Sequence, residues 1–182
     1  MGWTSYMARN WKNGKVDIIA EVEEELNGEN ERGKWTVLKS AKYGSTVYSA
    51  VEYLNKETNE KKVFATVFLT NTRNGEFSYK DMDETMGPYS YDCPESILKL
   101  LTPTDNEWAN NWRNKCREIR KKAKELKSLP MGAKIVINDW DNVPTTLEKR
   151  YSMQKGGERW YVEGTYNYYK DKAILERGWS AK

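Results

Sequence analysis

Apolar and polar positions follow the periods of strands or helices along most of this chain, and these periods predict its elements. In the first half, β-branched and aromatic residues form short runs separated by turn residues such as Asn74 and Gly75. These runs predict an antiparallel meander. Its strands are predicted at residues 35–43, 46–54, 61–70 and 76–79, after a first short strand within residues 2–11.

A helical period marks three other segments. Residues 17–26 place Ile18, Ile19, Val22 and Leu26 on one face and are followed by Asn27 and Gly28, a typical helix stop. A short helix is predicted from Pro94 to near Leu101. Residues 104–129 predict one long helix, in which Thr104 and Glu107 match a capping box and Pro130 ends the segment.

The long helix carries two stripes. An apolar stripe, expected to face inward, consists of Trp108, Trp112, Cys116, Ile119, Ala123 and Leu126. A basic stripe, expected to face water, consists of Arg113, Arg117, Arg120, Lys121, Lys124 and Lys127. Residues 113–127 hold eight lysines and arginines against two glutamates, so the predicted surface is locally cationic.

Beyond Pro130 the pattern returns to short strands. They are predicted at residues 133–137, 146–152, 159–164, 166–169 and 173–176. Several short strands within about 50 residues favour a small SH3-like β-rich C-terminal module. The predicted fold class is therefore α+β, with an antiparallel sheet, flanking helices and one long basic amphipathic helix. We place the domain boundary near Leu129, giving domains at residues 1–129 and 130–182.

Composition narrows the classes of function. The chain has 182 residues, 30 lysines and arginines against 27 acids, no histidine and two cysteines. The lack of histidine removes histidine-based acid–base catalysis and nearly all zinc sites, so we expect a protein without catalytic residues, metal or cofactor. No apolar run approaches the about 20 residues of a membrane span, and two cysteines are too few for a disulfide framework. A cytoplasmic protein without a membrane or small-molecule partner is expected.

The basic stripe is the first candidate site, and three interpretations stay open. A solvated helix face, a contact with nucleic acid and a contact with an acidic protein surface all fit its composition. A second candidate is an acidic contact surface on the first helix, formed by Glu21, Glu24 and Glu25.

Two weaker candidates remain. Asp81, Asp83 and Glu84, with the more distant Asp92, Asp139 and Asp141, could form the acidic centre of a Mg²⁺-dependent nuclease, but we favour a network of polar caps. Aromatic residues interleaved with cations near the C-terminus could stack nucleic-acid bases, but we favour a module core. They are Trp160, Tyr161, Tyr166, Tyr168, Tyr169 and Trp179.

Several sequence blocks carry a resemblance to a known family. They are residues 1–4, 12–17, 79–88 and 91–107. In these blocks the chain resembles a family of phages and mobile elements that includes an anti-CRISPR inhibitor of type II Cas9. The resemblance implies a protein that binds Cas9 with its guide RNA and blocks productive DNA binding or cleavage. Double-stranded DNA is a further candidate partner, and the alternative is a sequence-nonspecific nucleic-acid-binding accessory protein of a mobile element.

Overall fold

The computed structural model describes residues 2–139 and 141–182. The chain is a mixed α+β protein with a large antiparallel sheet and one long helix, as the sequence predicts at this coarser level. It divides into two compact units, residues 1–117 and 118–182, and helix α3 (Glu107–Ser128) contributes to both. The division near Leu129 made from the sequence stays a prediction.

The first unit is built on a six-stranded sheet with the order β1-β8-β7-β6-β5-β4. Strands β5 to β8 are consecutive and antiparallel, which confirms the predicted meander. The strands of the first unit are β1 (Thr4–Met7), β2 (Trp11–Lys12), β3 (Lys15–Val16), β4 (Gly28–Glu29), β5 (Gly33–Tyr43), β6 (Thr46–Asn55), β7 (Lys61–Arg73) and β8 (Glu76–Asp83). Strands β2 and β3 pair with each other in a separate hairpin.

Both faces of the large sheet are covered because its central strands are apolar on each side. On one face, Tyr48 and Val67 pack with α2 (Glu95–Leu98) and with the first half of α3, where Cys93 and Cys116 lie in the same core. On the other face, Val47, Phe68 and Phe77 pack against Val22 of α1 (Ile18–Leu26). The alternation of Val47 and Tyr48 between the faces follows from the two-residue period of a strand.

The start of α3 differs from the predicted capping box. Thr104 is not the N-cap; instead Asn106 Oδ1 accepts a hydrogen bond from the backbone N–H of Ala109 at 2.9 Å. Thr104 Oγ1 accepts from the N–H of Asn106 at 3.2 Å and so fixes the cap residue itself. Asparagine is a strong N-cap because its side-chain oxygen reaches the N–H three residues later.

The second unit has a five-stranded antiparallel sheet with the order β12-β11-β10-β9-β13. Its elements are β9 (Lys134–Asn138), β10 (Pro144–Tyr151), β11 (Glu158–Val162), β12 (Tyr168–Tyr169), α4 (Asp171–Arg177) and β13 (Ser180–Ala181). Leu126, Ile135, Leu147, Trp160 and Ile174 form its core. The SH3-like assignment stays a prediction.

The predicted strand at residues 173–176 is wrong, because this segment belongs to α4. Ala173, Ile174 and Leu175 are three apolar residues in a row, a pattern that fits a short buried helix as well as a strand. Only Ile174 is fully buried, and Gly178, with φ of 75°, ends the helix through its N–H to the carbonyl of Leu175.

Candidate nucleic-acid interface

The inward face of α3 is rotated from the predicted one. Trp112, Cys116 and Leu126 are buried as expected, but Trp108 is 67% exposed and Ala109 is buried in its place. The expectation that all the tryptophans of this helix point inward is therefore wrong for Trp108. The rotation also brings Arg113, the neighbour of Trp112, to the inside.

Arg113 is the clearest correction to the basic stripe. It is 5% exposed and forms a two-pronged pair with the buried Glu84, with Nε–Oε2 at 2.7 Å and Nη2–Oε1 at 2.5 Å. Its Nη1 donates to the carbonyl of Thr102 at 2.6 Å. A buried arginine must be paired in this way because an isolated charge is strongly disfavoured away from water. Arg113 therefore cannot contribute to an exposed anion-binding surface.

Three lysines of the second unit form what we call the cationic row. Lys121, Lys124 and Lys127 lie on α3 at spacings of three residues and are all exposed. Lys124 and Lys127 make no side-chain ion pair among the described residues, and Lys121 approaches Glu125 only at 4.0 Å. At about 100° per residue the three project within an arc of roughly 120°. Lys124 and Lys127 therefore present positive charge that no ion pair within the described part of the protein offsets.

The two other arginines of the predicted stripe differ from each other. Arg117 belongs to the first unit and is exposed, and its Nη1 lies 3.3 Å from Asn114 Oδ1. Arg120 belongs to the second unit and is only partly exposed. Lys122, beside the row, pairs with Glu118 at 3.1 Å.

The backbone at the end of the cationic row is fixed by a buried lysine. Lys149 is 4% exposed, and its Nζ donates to the carbonyls of Lys127 at 3.0 Å and Leu129 at 2.7 Å. The same Nζ pairs with Glu158 at 2.8 Å. A cation at a helix C-terminus satisfies carbonyls that have no partner within the helix. No local pattern indicates this role of Lys149, because its contacts join residues 22 and 20 positions apart.

The acids of the predicted surface on α1 are partly paired within the protein. Glu21 is buried, and its Oε1 accepts the backbone N–H groups of Arg9, at 2.6 Å, and Asn10. Glu24 and Glu25 both pair with Arg9, at 3.2 and 2.5 Å. These acids hold the N-terminal segment against α1. Glu21 is therefore wrong as part of an exposed surface because it is buried, whereas Glu24 and Glu25 are exposed and their role as a contact surface stays a prediction.

Glu25 also raises the pKa of a tyrosine, Tyr79. The Tyr79 hydroxyl donates to Glu25 Oε2 at 2.9 Å. Burial first, and then this hydrogen bond to a carboxylate, raise the pKa of Tyr79 to about 12. The same carboxylate accepts the Tyr6 hydroxyl at 3.0 Å.

Four of the six acids proposed for a nuclease centre, Asp83, Glu84, Asp92 and Asp139, have structural roles. Asp83 Oδ1 accepts from the N–H of Thr85 at 2.7 Å and caps a 3-10 turn, Glu84–Met86, as the cap interpretation expected. Glu84 forms a buried ion pair with Arg113. Tyr48 donates to Asp92, and Tyr169 donates to Asp139 at 2.7 Å. Within residues 2–139 and 141–182, no three or more histidines, cysteines or acids are grouped so that they could hold a metal ion.

The C-terminal aromatic residues divide into core and surface. Trp160 is buried, whereas Tyr166 is 96% exposed and Tyr168 is partly exposed. A groove of about 320 Å³ in the second unit is lined by Tyr161, Tyr166 and Tyr168, together with Tyr151, Met153, Arg150 and Lys155. The core interpretation is confirmed for Trp160 but not for these tyrosines. Tyr151 was missed, since its strand position resembles that of a core residue.

None of the helices that the structure describes is both long enough and apolar enough to cross a bilayer. Comparison of the chain with protein-family models, with curated proteins and with solved structures gives no match.

Proposed function

We propose that this protein is a non-enzymatic inhibitor of CRISPR Cas9 that binds Cas9 with its guide RNA and blocks productive DNA binding or cleavage. The family resemblance suggests the partner, and the cationic row is the observation that carries the proposed contact. Lys121, Lys124 and Lys127 are exposed and largely unpaired, in a chain whose net charge is only +3. Such a local excess of positive charge favours contact with phosphates.

The internal pairing of the acids supports this route over its alternative. An acidic α1 could occupy a basic DNA-binding channel of Cas9, which holds nucleic acid through positive charge. Glu24 and Glu25 both pair with Arg9, whose single charge offsets part of theirs, so they offer less to such a channel. The cationic row is then the better candidate for contact with guide RNA or DNA. Under this proposal the protein acts in the cytoplasm of a bacterial host cell.

The test is binding and inhibition with the row neutralised. Replacing Lys121, Lys124 and Lys127 by glutamine is expected to weaken the complex with Cas9–guide RNA and to relieve inhibition of DNA cleavage in vitro. If the lysines contact phosphates, the slope of log affinity against log salt concentration should fall by up to about three. The matched control replaces Lys12, Lys42 and Lys99, three exposed lysines of the first unit, and should change neither quantity.

Two outcomes contradict the proposal. If the unmodified protein forms no complex with Cas9–guide RNA at micromolar concentration, the inhibitor assignment is wrong. If the complex forms but the row variant and the control variant behave alike, the inhibitor assignment stands and the role of the row is wrong.

The second candidate function is a sequence-nonspecific nucleic-acid-binding accessory protein. The tyrosine groove favours it, because exposed aromatic rings beside Arg150 and Lys155 can stack bases. Retention of DNA in the absence of Cas9, lost at high salt and after Tyr166→Ala, would support this candidate. Under this second candidate function, we also propose that the five-stranded sheet of the second unit is an SH3-like module.

A further inference from the structure

A cavity of about 360 Å³ lies in the first unit, on the face of the large sheet that α1 covers only in part. Its aromatic walls are Trp35 of β5 and Phe64 and Phe68 of β7. Its polar lining includes Thr66 of β7 and Asp81 and Asp83 of β8, and the last residues of α1 close one side. The cavity contains none of the residues of the cationic row.

Thr66 is the observation that points to a ligand. It is 6% exposed, and its Oγ1 is buried with no hydrogen-bond partner in the part of the chain that the structure describes. Thr66 lies opposite Asp83 in the sheet register, two positions from the pair of Phe68 and Asp81, so these side chains share one face. A buried hydroxyl without a partner destabilises a fold, and such groups are rare in native proteins.

The lining of the cavity also carries carboxylates without a lysine or arginine beside them. Asp81 makes no hydrogen bond or ion pair among the described residues, and Asp83 uses only Oδ1 in its cap, leaving Oδ2 without a partner there. Glu25 also lines the cavity, but it shares the counter-ion Arg9 with Glu24, so we count only Asp81 and Asp83 as carboxylates without a cation. The lining includes no lysine or arginine, and the C-terminal end of α1 adds partial negative charge. All of these groups favour a cation that donates hydrogen bonds.

The aromatic walls select the kind of cation. Trp35 is held by the ring of Tyr53, with centroids 5.0 Å apart, so its position is fixed. A guanidinium group is planar, stacks on aromatic faces and donates through a fork that matches a carboxylate. An ammonium is a compact, strongly hydrated point charge and gains less in such a site. The apolar walls suit an alkyl stem that carries the charged group inward.

We propose that this cavity binds a guanidinium group carried on an alkyl chain. Asp81 and Asp83 receive its charge, the Thr66 hydroxyl accepts one of its N–H groups, and Trp35 with Phe64 lies against its plane. The group can belong to an arginine side chain of a partner protein or to a free alkylguanidine, and the chemistry of recognition is the same for both. The inference does not rest on the proposed inhibition of Cas9.

The test titrates the full-length protein with four probes. They are butylguanidinium, butylammonium, the capped peptide Gly-Arg-Gly and the capped peptide Gly-Lys-Gly. Binding is followed by NMR signals of the Trp35 indole N–H and the Thr66 methyl group, with affinities from the titration. Each guanidinium probe is expected to bind several-fold more tightly than its ammonium counterpart. Binding of the peptide identifies a protein side chain as the source, and binding of butylguanidinium alone identifies a small molecule.

Three variants separate ligand recognition from folding. Asp81→Asn is expected to weaken guanidinium binding about tenfold, because a charge-assisted hydrogen bond is lost. Thr66→Val is expected to weaken it about fivefold without destabilising the ligand-free protein, since its hydroxyl has no partner to lose. Glu57→Gln, at an exposed turn of the same unit, is the charge-matched control and should bind like the unmodified protein.

The proposal is wrong if neither guanidinium probe shifts the Trp35 and Thr66 signals, or if ammonium probes bind equally well. It is equally wrong if Asp81→Asn and Glu57→Gln give the same affinity. A loss of stability in Thr66→Val without ligand would show that the hydroxyl has an internal partner, and this result would also overturn the proposal.

Discussion

Replacement of Arg113 by methionine should destabilise the first unit far more than the same replacement at Arg117, four residues along the same helix. Arg113 makes two hydrogen bonds to Glu84 and one to the carbonyl of Thr102, and both charged groups are almost fully buried. Arg117 is exposed and, among the residues that the structure describes, its side chain approaches only a neutral amide. The comparison therefore tests burial and pairing, not charge.

The size of the destabilisation follows from the Glu84 carboxylate, which loses its counter-ion in the variant. Methionine at position 113 would leave Glu84, which is 2% exposed, as a buried carboxylate without its counter-ion. Removing one partner of a buried pair lowers the free energy of unfolding by about 3–5 kcal/mol. This is a large share of the about 5–15 kcal/mol that stabilises a typical domain. With an m value of about 2 kcal/mol/M, the urea midpoint should fall by roughly 2 M.

The assay is urea unfolding of the two single variants and of a double variant, Glu84→Leu with Arg113→Met. The double variant should recover much of the loss, because a buried pair replaced by apolar residues of similar size is often tolerated. The reasoning is refuted if Arg113→Met and Arg117→Met have the same midpoint. It is also refuted if the double variant is less stable than Arg113→Met alone, because the uncompensated Glu84 would then not be the cause.

Two further predictions concern other buried polar groups. Lys149→Met should lower the free energy of unfolding of the second unit by about 2–3 kcal/mol, because two carbonyls and Glu158 lose their donor. Thermal or urea unfolding measures this change. The control, Lys155→Met at an exposed position, should change the free energy of unfolding little. Tyr79, with a pKa raised to about 12, should ionise later than an ordinary tyrosine. Its hydrogen bond then stabilises the fold fully below about pH 10 and is lost as the pH rises through about 12. An ultraviolet titration should show one late-ionising phenol fewer in Tyr79→Phe; an unchanged titration would contradict this assignment.

Local patterns were sufficient for the meander and for the long helix. The central strands β6 and β7 read as near-continuous runs of β-prone residues because both of their faces are covered, and the turns between the strands carry residues that favour turns. A pattern of this kind needs only neighbouring residues. It predicts the type of element well, and the exact face of a helix less well.

Long-range partners explain the errors. Arg113 looks like a surface residue by type, and its burial depends on Glu84, which lies 29 positions earlier in the chain. The acids of α1 look unpaired in the sequence, and the pairing of Glu24 and Glu25 depends on Arg9, which lies 15 and 16 positions earlier in the chain. No residue periodicity encodes such pairs. The exposed row at Lys121, Lys124 and Lys127 was predictable because helical spacing alone defines it.

The two thiols give the molecule a built-in probe of local opening. Cys93 and Cys116 are the only cysteines of the chain, and both lie in the core that the large sheet forms with α2 and α3. Residues 118–182 contain none. A thiol-reactive dye therefore modifies the chain only when the first unit opens, and its rate under native conditions reports the opening free energy of that unit alone. Fluctuations of the first unit can thus be measured in the intact protein without a contribution from a thiol of the second.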